Sequence, residues 1–120
     1  MLNFFWIFLG GGLGSICRYG ISRILAGNEY SFPFATLLAN FISCIILGYL
    51  FGLALKSGIN DNNKLLWMTG FCGGFSTFST FSLETFVLFE AGNTGYAFLN
   101  IAASLLICLV AIFIGIKISG

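Results

Sequence analysis

Histidine is missing from this chain, and only five Lys or Arg and four Asp or Glu are spread through its 120 residues. Without histidine there is no Ser-His-Asp or Cys-His set for nucleophilic catalysis, which argues against an enzyme. No carboxylate cluster and no phosphate-cradling loop occurs, which argues against a metal transporter or an ATP-driven pump. A net charge of +1 gives no sign of a nucleic-acid partner. The four cysteines, Cys17, Cys44, Cys72 and Cys108, form neither a CxxC pair nor a metal-ligand spacing. They read as small apolar packing residues. What the chain does have is apolar mass. It is 58% hydrophobic and 8% charged with a mean hydropathy of +1.02, far from the balance of a water-soluble domain.

That mass falls into four segments, Leu2–Leu25, Phe34–Leu55, Leu65–Phe89 and Tyr96–Ile118. Each approaches or exceeds the ~20 residues a spanning helix needs. The expectation is one all-α membrane unit over residues 1–120, with four transmembrane helices, short loops and no soluble domain. The start, Met1 to Trp6, lacks the positive region of a signal peptide, so the first segment is expected to stay. With both termini on one side, that side holds Lys56, Lys64 and Lys117, with Asp61 beside them. The other side holds Arg23 and Glu29, with Glu90 near the end of the third segment. The basic residues favour cytoplasmic termini, but so slight a bias also suits subunits inserted in opposite directions. Four short helices are too few to enclose a conduit alone, which predicts at least a dimer.

The third segment carries the most informative stretch, Gly70 through Ser82, with Gly73-Gly74 followed by a run of hydroxyls. A glycine pair and hydroxyls at membrane depth predict a helix broken at Gly73-Gly74. Such breaks are tolerated only where protein or a polar cavity covers them, and in transporters they bind ions. Phe75, Phe78 and Phe81 fall three residues apart, close to one helical face. Thr77, Thr80 and Glu84 form a polar stripe beside them. Glu84, an intramembrane acid, is a functional candidate, either in a network with hydroxyls or Arg18 or as a proton carrier.

Other segments add single polar residues. Gly10, Gly14 and Arg18 share a face of the first, the glycines as a GxxxG packing motif. Arg18 is costly in a span; it reads as a functional residue or one snorkelling to the interface. Asn40, among aliphatic neighbours in a stripe with Thr36, Ser43 and Cys44, offers the donors an anion would need. Gly48 and Gly52 form a second packing pair. In the fourth segment Asn100, Ser104, Cys108, Ala111 and Gly115 make a small and polar stripe suited to lining or close packing. Hydroxyls, amides, backbone dipoles and phenyl edges, which are electropositive, suit a small hard anion. Carbonyls freed at the break would suit a small hard cation.

Gly10-Gly11-Gly12-Leu13-Gly14-Ser15-Ile16-Cys17-Arg18-Tyr19 resembles the first-helix signature of the Fluc (CrcB) fluoride channels. Phe32 through Asn40 is similar to the start of their second helix, and Gly70 through Phe81, on to Glu84, to their helix break and phenylalanine box. Ser76 departs by standing where Thr is usual. The resemblance implies a passive, fluoride-specific channel in the plasma membrane, working as an antiparallel dual-topology dimer with two pores. It implies Phe78 and Phe81 as the box rings, Asn40 as the pore amide, Ser79 and Thr80 on a polar track, and Arg18 at a vestibule. Ser104 and Asn100 carry over on a weaker motif. Backbone carbonyls of Gly73 and Ser76, from both subunits, would hold a structural sodium ion. The partner is a second copy or a paralogous subunit, with fluoride and membrane lipid as the other partners. The rival reading, a small multidrug-type proton antiporter, needs an acid in the first span, and Leu2–Leu25 contains none. A purely structural assembly helper would not need Arg18, Asn40 and a broken helix together.

Overall fold

The computed structural model describes residues 2–26 and 32–120; Glu29 and Met1, used above in weighing orientation and the N-terminus, lie outside them. Three unbroken helices are long and apolar enough to cross a membrane: α1 (Leu2–Leu25), α2 (Phe34–Leu55) and α5 (Thr94–Ile118). The remaining span is shared by two half-helices, α3 (residues 61–75) and α4 (Phe78–Glu90). This is the all-α, four-span fold with an interrupted third helix that the sequence predicts. Most of α3, Lys64–Cys72, is wound as a π-helix, a form that is rare and concentrated at functional sites.

The interior is inverted relative to a soluble bundle. Its largest side chains below 2% exposure are Asn100 and Ser43, whereas Phe4, Phe8 and Leu106 stand more than two-thirds exposed. Lipid tails already satisfy an apolar surface, so the driving force for helix packing comes from close approach and polar pairing. Glycines supply that approach along two seams. A Cβ on Gly10 or Gly14 would overlap the α3 backbone at Leu66 and Phe71, and one on Gly48 or Gly115 would overlap Ile112 or Ile45 across the α2–α5 seam. The molecule is therefore two tight pairs, α1 with α3 and α2 with α5, with α4 leaning mainly on α5.

The break itself lies two residues beyond the expected place. Gly73 has helical dihedrals of φ −64° and ψ −35°, whereas Ser76 (φ −84°, ψ 156°) and Thr77 (φ −152°, ψ 122°) are extended. Gly74 is small for packing: a Cβ there would strike the Gly11 carbonyl. The phenylalanine row is also split. Phe75 ends α3, 4% exposed, its ring tilted at 57° to that of Phe71 with centroids 5.3 Å apart, while Phe78 and Phe81 belong to α4. Two extended residues rotate the chain out of helical register, so a spacing of three no longer keeps the rings on one face.

Candidate ion pathway

Asn40 splints the break. Its Oδ1 accepts the Thr77 N–H at 2.9 Å and its Nδ2 donates to the Thr77 carbonyl at 3.5 Å. In an unbroken helix the Thr77 N–H would bond to the Gly73 carbonyl. Similarly, the Thr80 N–H, which would serve Ser76, is donated to Thr77 Oγ1 at 3.2 Å, capping α4. The carbonyls of Gly73 and Ser76 thus lose their helical donors. Gly74, next to them, is compensated: Arg18 Nε donates to its carbonyl at 3.1 Å. Cys72 is over-served, accepting from the Ser43 hydroxyl at 3.1 Å and the Ser76 hydroxyl at 2.7 Å.

Two cavities flank this break. A cavity of about 270 Å³ brings together Asn40, Ser76, Phe78, Phe81 and Ser104 with Thr77, Cys44, Cys108 and aliphatic residues of α5. The rings of Phe78 and Phe81 lie 5.7 Å apart at 44° to each other, and Phe78 is 78% exposed. A smaller one of about 110 Å³ is lined by Arg18, Tyr19, Ser22, Thr36, Thr80 and Glu84. Sequence-predicted residues therefore divide: Asn40, Phe78, Phe81 and Ser104 meet in the first, Arg18 and Thr80 in the second. Ser79 is exposed, its hydroxyl 3.2 Å from Thr77 Oγ1. Arg18 and Glu84 share a cavity without forming an ion pair among the described residues. Glu84 Oε1 is buried and has no hydrogen-bond partner there.

Behind the first cavity runs a relay that sequence reading missed in part. Ser104 donates to Asn100 Oδ1 at 3.2 Å, Asn100 Nδ2 donates to Thr85 Oγ1 at 2.8 Å, and Thr85 donates to the Phe81 carbonyl at 2.8 Å. Asn100, 1% exposed, is internal scaffolding that ties α5 to the carbonyl of a cavity phenylalanine. Thr85 was not foreseen; its one signal is the four-residue step back to Phe81, the reach of a threonine hydroxyl to the preceding turn.

A four-span bundle whose interrupted helix is walled by polar and aromatic cavities has the build of a channel or carrier, and the chain is a multi-pass integral membrane protein. It belongs to the CrcB-like protein, camphor resistance (CrcB), family, whose profile matches residues 5–116. The fluoride-specific ion channel FluC of Pyrococcus abyssi is 46% identical over 110 residues, 91% of this chain and 89% of its own. That of Azobacteroides pseudotrichonymphae is 40% identical over 113 residues, covering 92% and 90%. That of Parabacteroides distasonis is 38% identical over 117 residues, covering 97% and 91%.

Proposed function

We propose that the chain is a fluoride-specific channel of the plasma membrane, passing the ion out of the cytoplasm by passive diffusion and not catalysing a reaction. The observation that carries this reading is the cavity lined together by Phe78, Phe81 and Asn40 beside the broken backbone. Phenyl edges are weakly positive and can replace part of a small anion's water without a fixed positive charge that would hold it. Ser104 and Asn40 border the same space, while Arg18, Thr80 and Glu84 form the polar mouth. Ser79, on the exposed edge of α4, extends the hydroxyl track.

The single chain leaves Phe78 and Gly73 uncovered. A second copy or a paralogous subunit, inserted the other way up, would close the pathway against that face. Carbonyls of Gly73 and Ser76, stripped of their helical donors by Asn40 and Thr77, suit a sodium ion between the subunits. They are neutral oxygens matched to a hard monovalent cation. Sodium would supply charge that ties the two breaks together and takes no part in transport. Liposomes holding the purified chain alone test the reading: fluoride efflux with chloride retained is expected. Equal chloride and fluoride currents would reduce it to a generic anion pore, and no flux would end it.

A further inference from the structure

We propose that Cys44 and Cys108 form a two-coordinate site for a soft thiophilic cation, whose occupancy obstructs the cavity beside Asn40 and Phe81. Helices α2 and α5 lie in a fixed parallel register, with Gly48 against Ile112 and Gly52 against Ile116. The same offset sets Cys44 opposite Cys108. Both thiols line the larger cavity, and both are half-buried. A glycine seam a turn away holds the two backbones close, so the sulfurs cannot separate without unpacking the helices. Cys17, exposed on α1, and Cys72, 2% exposed, line neither that cavity nor the other described here.

Two thiols select the metal class. Thiolate is a soft ligand, and zinc asks for about four ligands in a closed site, whereas the described residues contain no group of three or more His, Cys, Asp or Glu that could hold a metal. A closed-shell cation content with two sulfurs, such as mercury(II), fits. Each thiol gives its proton to water as its sulfur bonds to the metal, so one divalent cation and two thiols yield a neutral dithiolate and two protons, with no change of oxidation state. Neutrality matters, because an uncompensated charge at this depth is expensive.

The experiment uses the full-length chain carrying Cys17→Ser, titrated with mercury(II) chloride against a monothiol competitor. Thiolate-to-metal absorbance and proton release are read together. One metal per chain and two protons per metal are expected, with affinity falling about 100-fold in either Cys44→Ser or Cys108→Ser, the loss of a chelate. Zinc should not compete. Unchanged affinity in both variants, or one proton per metal, would overturn the site. The obstruction rests on the fluoride-channel reading: in liposomes, mercury(II) should stop fluoride efflux and dithiothreitol restore it. Binding with undiminished efflux would overturn the obstruction, and absence of any fluoride flux would count against the channel reading while the titration still decided the site.

Discussion

On the proposed reading, Asn40 would carry two duties that pull in different directions. Its amide already serves both backbone groups of Thr77, so a pathway ion can draw only on the second Nδ2 hydrogen. Asn40→Leu should therefore do more than block. It strands the Thr77 N–H and carbonyl, costing about 1–3 kcal/mol of stability, and should abolish fluoride efflux. Wild-type efflux with a lowered melting temperature would make Asn40 a splint alone. Phe78 offers a cleaner separation, because at 78% exposure it contributes little to the subunit's packing. Phe78→Ile and Phe81→Ile keep bulk but lose the ring edge, and each should cut fluoride efflux about tenfold or more, with the Phe78 variant melting as wild type. Unchanged flux in both would place the pathway elsewhere. The residue types at this site were legible in the sequence because intramembrane amides and hydroxyls are costly and few. The exclusion of Phe75 was not. Its spacing matches the other rings, and only the extended dihedrals at Ser76 and Thr77 show that the spacing crosses a break.

The element that matters is the break between α3 and α4, and its glycines have separate jobs. Gly74 fits under Gly11 of α1, whereas a Cβ at Gly73 would meet nothing within 4 Å of its own chain. Gly74→Ala should thus destabilise the isolated subunit by about 1–3 kcal/mol through overpacking against rigid backbone. Gly73→Ala should leave the subunit's fold intact and lower only dimer stability and flux. Thermal melts of each variant, with size-exclusion profiles in detergent, distinguish the two. Equal damage from both would mean that Gly73 is needed inside its own chain after all. Sequence reading found the break because Gly-Gly before hydroxyls is a strong local signal, yet it placed the interruption on the glycines. Where the chain lets go is decided by Asn40 and Arg18 capturing backbone groups from other helices, with Thr77 capping the next half-helix locally, and no local pattern reports the two long-range captures. The π-helical winding of Lys64–Cys72 likewise has no sequence counterpart that the spacing of apolar residues reveals.

At the scale of the whole molecule, the surface of one chain motivates the proposed pairing: Phe78 and Gly73 are exposed beside carbonyls that have lost their helical donors. In hydrocarbon each such carbonyl costs several kcal/mol unless something meets it. The proposed inverted second copy would bring the same pair of carbonyls to the same place, and a cation between them would convert mutual repulsion of four oxygens into attraction. The proposed sodium then belongs to the dimer and not to the separated subunits, so mass action fixes its signature. A ligand that binds only the assembled state stabilises it by about 2.7 kcal/mol at a hundred times its dissociation constant. Purifying the protein in N-methyl-D-glucamine in place of sodium should therefore lower the dimer melting temperature and the fluoride flux, and returning sodium should restore both. Ser76→Ala keeps the backbone carbonyl and should retain the sodium response, whereas Gly73→Ala, which adds a Cβ on the uncovered face, should flatten it. A melting curve and a flux that are the same with and without sodium, in a protein still dimeric by size exclusion, would leave the paired carbonyls facing each other through water or protein donors and would remove the ion from the assembly.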